Sequence, residues 1–301
     1  MTAERITSVA RPARKQWRRW RSTAACLGVC LLSWVALLWL GDRSQQTRLG
    51  QALDQAGMDV VVGDRIATRQ LVAVLGNVSL GSVALAVLLV TATAAVRRRY
   101  AAAAAAAALV LGANLTTQAL KAWSERPDYG NLTVASYPSG HATVVVSLVF
   151  AALLVVPGQA RTAVSLVGSA AITVTATAML VASWHRPADI VGAVLVCLSW
   201  GTAVLVVWSV LRGGMSGVDP GRPHRIFATT GVVLAVAGLL AVGVRPGGGW
   251  SGFLDAGVVL AGIALITALT VTTYAQLSAP MGVGEDQRPV KSSRAPRPGP
   301  P

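Results

Sequence analysis

The sequence is short of charge. Only 13% of its 301 residues are Asp, Glu, Lys or Arg, while 53% are hydrophobic. A water-soluble domain carries about twice that share of charge, so a soluble globular composition is excluded. Cysteine and histidine are scarce as well, three residues of each. Cys26, Cys30 and Cys197 lie inside apolar runs and give neither a disulfide framework nor the paired spacing of a zinc site. Acids number 12 against 26 bases, a net charge of +14. Such an excess raises the question of nucleic acid, which the positions of the charges answer.

What the chain has is a series of long apolar runs. They lack the period-2 alternation of barrel strands, and a backbone crossing lipid must satisfy its own hydrogen bonds, so the runs predict helices. Eight are distinguishable: Ala24–Leu40, Leu71–Val96, Ala101–Leu120, His141–Val156, Thr162–Trp184, Pro187–Leu211, Ile226–Val244 and Phe253–Leu277. The first is too long for a signal-peptide core and has no small-x-small cleavage site after it, so it is expected to be an uncleaved first span. The third is rich in alanine and is expected inside the bundle, where small residues allow close approach. The sequence therefore predicts an all-α, polytopic integral membrane bundle of about eight transmembrane helices. Four regions follow: a basic N-terminal tail (1–21), six spans (22–211), two further spans (212–277) and a disordered Pro/Arg-rich tail (278–301). Residues 41–70 read as a polar loop, or as a short amphipathic helix lying on the membrane through Leu49, Leu53 and Val60–Val62.

Placing the N-terminus inside puts eighteen of the 26 Lys and Arg on the inner side. This obeys the positive-inside bias, so the excess calls for no nucleic-acid partner. Both termini are expected in the cytoplasm of a cell-membrane protein, with Trp17, Trp20 and the basic tail meeting anionic lipids there. The preference for Arg over Lys, with abundant Ala, Val and Gly, points to a GC-rich bacterial source. The same span count brings two polar loops, 121–141 and 185–189, together on the outer face.

Those loops hold two of the three histidines. A phosphate ester needs cations for its oxygens, a nucleophile in line and an acid for the leaving group. Ser139-Gly140 opens a helix, where free backbone N–H groups favour an anion and glycine permits close approach. Lys121 and Arg126 offer positive charge. His185 and Asp189 are four apart, so the carboxylate can orient the imidazole. Singly, each has a plainer reading: Asp189 as a helix-start charge, Lys121 as an interfacial anchor, a loop histidine as a solvated one. Jointly they do not, since a string such as Pro138-Ser139-Gly140-His141 arises by chance in only ~1 in 1,000 chains of this size.

The pattern Lys121, Pro138-Ser139-Gly140-His141 and His185-x3-Asp189 resembles the type-2 phosphatidic acid phosphatase (lipid phosphate phosphatase) superfamily of integral membrane enzymes. The likeness covers roughly residues 70–211 and implies a six-helix core, to which the last two spans are an addition. It further implies that His185 attacks phosphorus to form a phosphohistidine, oriented by Asp189. His141 would protonate the leaving alcohol, and Lys121, Ser139 and Gly140 would cradle the phosphate without metal or cofactor. The implied substrate is a lipid-linked phosphate at the outer leaflet: polyprenyl (pyro)phosphate, phosphatidic acid or phosphatidylglycerol phosphate. The chain departs from the family pattern twice, with Asp128 and Met179 where two arginines belong. Arg126 and Arg186 are the nearest cations to replace them. A lapsed relative that binds or moves a phospholipid, and a phosphotransferase using the same residues, stand as alternatives.

Overall fold

The computed structural model describes residues 3–76, 80–130, 136–215 and 222–283. The middle of the 121–141 loop and the tail from 284 onward lie outside the described residues; of the tail expected to be disordered (278–301), residues 278–283 continue the last helix. Among the described residues the chain forms ten α-helices and one two-stranded ribbon. The helices are α1 (Ala3–Gln46), α2 (Arg48–Asp59), α3 (Arg65–Gly76), α4 (Leu80–Val96) and α5 (Tyr100–Trp123), then α6 (Gly140–Val155), α7 (Arg161–Val181), α8 (Pro187–Leu211), α9 (Arg222–Val242) and α10 (Phe253–Val283). Six of them are long and apolar enough to cross a membrane, and α4 and α6 are shorter apolar helices. The result is an all-α integral membrane bundle.

Burial orders the helices. α7 and α8 are the most enclosed, and with α6 they form the centre. Around them α1 packs on α8, α9 on α7, and α5 on both α6 and α8, while α10 touches α6, α7, α8 and α9. Aromatic rings need small neighbours here: a Cβ on Gly201 would lie 2.6 Å from the Tyr274 ring, and Tyr274 of α10 stacks on Phe150 of α6 with centroids 4.1 Å apart. At the end of the bundle away from His185, two buried arginines satisfy the last carbonyls of α6. Arg99 donates to Val155 O at 2.8 Å, and Arg161 donates to Leu153 O, to Ala275 O at 2.6 Å and to Ser278 Oγ at 2.8 Å.

Three expectations need correction. The second helical segment does not begin at Leu71: α3 starts at Arg65, within the predicted polar loop, and extends to Gly76, and α4 covers Leu80–Val96, with 77–79 outside the described residues. The alanine-rich helix is not enclosed. α5 buries one stripe (Ala102, Ala106, Leu109, Val110, Ala113, Thr117) and turns Leu111 and Leu115 outward. Nor is 41–70 a loop, because α1 runs on to Gln46 and α2 follows almost at once, its N-cap Thr47 accepting from Gly50 N. α2 presents Leu49 and Leu53 outward, as expected, and points Gln51, Asp54 and Met58 into the protein. Strand β1 (Val61–Gly63) then pairs antiparallel with β2 (Val244–Pro246), tying this segment to the α9–α10 turn.

Candidate active site

Two helix ends build the site. α7 stops in a Schellman turn: Trp184 N reaches Met179 O at 3.0 Å and Ser183 N reaches Leu180 O at 2.9 Å. Ser183 takes the left-handed φ of 55° that such a turn demands, without the usual glycine. This reversal brings His185 and Arg186 directly before α8, whose first helical residue is Pro187, a position that needs no N–H. Across from it, Ser139 caps α6 by accepting from Ala142 N at 3.3 Å. The two ends are joined by Ser139 N donating to Asp189 O at 2.9 Å.

Asp189, fully buried, is the hub. Its Oδ2 accepts from His185 Nδ1 at 3.2 Å, from Ser136 Oγ at 2.6 Å and from Arg186 N at 3.0 Å. A carboxylate can only accept, so the proton sits on Nδ1 and Nε2 carries the free lone pair. His141, in the first turn of α6, faces His185 edge-on with centroids 6.4 Å apart, and Trp184 backs it at 5.6 Å. Lys121, at the end of α5, completes this side: a Cβ on Gly140 would lie 3.8 Å from its Nζ. The open first-turn amides of α6 and this ammonium thus converge on the gap between the histidines.

Two buried arginines stand near Asp189. Arg186 donates through Nε to Gln55 Oε1 at 3.1 Å and through Nη1 to Ser136 Oγ at 3.3 Å. Arg126 is 8% exposed and spends one donor on Gln45 Oε1 at 2.9 Å, while its Nε and Nη2 have no partner among the described residues. Burial, then the neighbouring Arg186 charge, lower its pKa from the usual guanidinium range, with Asp189 and Asp54 opposing. Asp54 accepts from Ala188 N at 2.8 Å. Burial pushes its carboxyl up to about 7, Asp189 adding to the shift while the Ala188 N–H, Arg186 and Arg126 oppose it.

Residues 114–212, roughly a third of the chain, match the model of the PAP2 superfamily. Over that stretch the chain is similar to the PAP2 superfamily. No curated protein and no solved structure matches it. The match suggests phosphatase activity on phosphate esters.

Within the matched stretch the eight residues singled out by sequence are assembled at one end of the bundle: Lys121, Arg126, Ser139, Gly140, His141, His185, Arg186 and Asp189. The two departures from the family pattern also have clear places. Asp128 is exposed and accepts from Gly130 N in its own turn, at 2.8 Å. Met179 is fully buried, and its sulfur lies 3.2 Å from the Ser139 hydroxyl. Ser139 is therefore engaged as a cap and a sulfur contact, which leaves the amides of its turn as the anion-facing groups. Sequence reasoning missed Gln45, Asp54, Gln55 and Ser136, which hold the arginines, the start of α8 and Asp189. Their partners are distant in sequence, and no local motif marks them. The sole local signal is the spacing of Gln51, Asp54 and Met58 on one helical face. Among the described residues, no three His, Cys, Asp or Glu side chains group as metal ligands would.

Proposed function

We propose that this protein hydrolyses a lipid-linked phosphate or pyrophosphate at the outer leaflet through a phosphohistidine. The observation that carries the reading is the Asp189–His185 pair facing His141 across a gap lined by Lys121 and the first turn of α6. His185 Nε2 attacks phosphorus and a P–N bond forms. The P–O bond to the lipid alcohol breaks as His141 gives that oxygen a proton. Asp189 holds the imidazole and stabilises the charge it gains. In the second step His141 takes a proton from water, whose oxygen displaces the histidine and releases phosphate. The α6 amides, Lys121, Arg126 and Arg186 take up charge on the equatorial oxygens. An alcohol in place of water would make the same site a phosphotransferase.

A second reading has its own observation. Met179 fills with an apolar side chain the place of a family arginine, as expected of a lapsed relative that only binds a phospholipid. One experiment separates the two. Purified protein is given dioctanoyl phosphatidic acid, farnesyl pyrophosphate and phosphatidylglycerol phosphate, with and without chelator, and released phosphate is measured. Turnover of any one that is lost in His185→Ala supports the phosphatase. Wild type inert on all three, with Met179→Arg plus Asp128→Arg gaining activity, supports the lapsed relative.

A further inference from the structure

The PAP2 match begins at residue 114, yet a helix that ends at residue 59 reaches the candidate site. The start of α8 explains why it is needed. Its N-cap, Arg186, has a side chain of donors only and cannot serve the orphan amides of the first turn. Pro187 has no N–H, and Asp189 takes the Arg186 N–H with its own carboxylate. The N–H of buried Ala188 remains, and a buried amide without a partner is costly. Asp54 supplies the acceptor from 134 residues away. It is an N-cap given in trans.

α2 grips this turn at two more points. Gln55, the next residue, accepts from Arg186 Nε, and Gly57 lies so close that a Cβ there would come within 2.9 Å of Pro187 Cγ. Upstream, Gln51 ties α2 to the loop that carries Arg126, donating to Pro127 O at 2.9 Å and to Gln45 O at 2.7 Å. The charged groups that bear on Asp54 are Arg126 from that loop and Arg186 and Asp189 from α8. Every one of them belongs to the proposed phosphate site.

From this geometry we infer that Asp54 is a positioning residue for phosphoryl transfer: by capping α8 in trans it fixes the turn that aligns His185 and Arg186. The inference rests on the phosphatase reading above. Asp54 acts through an acceptor oxygen, so the amide oxygen of asparagine can replace it. A serine at 54 draws the acceptor back from the Ala188 N–H and cannot.

The test uses full-length protein in detergent micelles. kcat and KM are measured for wild type, Asp54→Asn, Asp54→Ser and Asp54→Ala on dioctanoyl phosphatidic acid, and amide exchange is followed in the peptide spanning 185–190. Serine and alanine should lower kcat by ~10- to 100-fold with KM changed less than threefold, and should speed exchange at Ala188 at least tenfold. Asparagine should restore both to within threefold of wild type. A merely stabilising contact would lower the melting temperature and leave kcat per folded molecule unchanged. Serine at wild-type kcat, or asparagine as impaired as serine, overturns the proposal. If alanine does not fold, the serine–asparagine contrast decides alone. If wild type turns over no lipid phosphate, the phosphatase reading falls separately, and affinity for inorganic phosphate becomes the readout. Serine should then weaken phosphate binding at least fivefold, and equal affinity overturns the positioning role.

Discussion

Replacing Arg126 should separate activity from stability. Its guanidinium is buried, donates once to Gln45, and leaves Nε and Nη2 without partners among the described residues. Each buried, unsatisfied polar donor costs about 1–3 kcal/mol, and a like charge on Arg186 adds to that cost. A bound phosphoryl group would accept both donors and remove the penalty. Arg126→Ala should therefore lose about 2–4 kcal/mol of transition-state stabilisation, a fall in kcat/KM of ~30- to 1,000-fold. Thermal stability should stay level or rise, because the variant discards a buried charge and leaves only Gln45 to re-pair. Arg126→Lys keeps a charge but not the planar fork, and should fall between the two. The assay is steady-state release of phosphate from a short-chain lipid phosphate, beside a melting curve in the same detergent. Wild-type kcat/KM in both variants, or a loss of activity that simply tracks a loss of melting temperature, refutes the reasoning.

Other expectations concern charge and sidedness. Asp54 has a folded-state pKa raised to about 7 from 3.8, so the stability it contributes is whole below about pH 4 and is lost as pH rises through 7. The upper limit is ~4 kcal/mol at ~1.4 kcal/mol per unit, so the melting temperature of Asp54→Asn relative to wild type should climb by several degrees between pH 5 and pH 8.5. A gap that does not change with pH contradicts the raised pKa. Exposed Asp128 should face the outside of the cell, so a cysteine there, with Cys26, Cys30 and Cys197 replaced, should react with an impermeant maleimide on intact cells. Labelling only after lysis would reverse the topology.

The long apolar helices and the His185–Asp189 pair were legible in the sequence because each depends on local pattern. Apolar runs mark spans wherever they sit, and His185 and Asp189 meet because one turn of helix separates them. The remainder of the site comes from long-range contacts that leave no periodic trace. Gln55 finds Arg186 across 131 residues and Gln45 finds Arg126 across 81. α2 carries an ordinary helical period, but its inward face is polar, the reverse of the usual amphipathic rule. The turn after α7 was hidden for a different reason: a serine occupies the left-handed position where glycine would have announced it. Ser136 offers no signal of its own until the fold sets it against Asp189.

The central claim is that His185 becomes phosphorylated. Wild type and variants are mixed with a phosphorylated substrate that has a good leaving group, quenched in base, digested and mapped for phosphopeptides. A His141→Ala protein should accumulate the intermediate, because the first step then needs little acid assistance while the second lacks its base. The account predicts an acid-labile, base-stable phosphate on the peptide containing His185, strongest in His141→Ala and absent in His185→Ala. A phosphoenzyme that survives in His185→Ala, or that maps to any other residue, contradicts it.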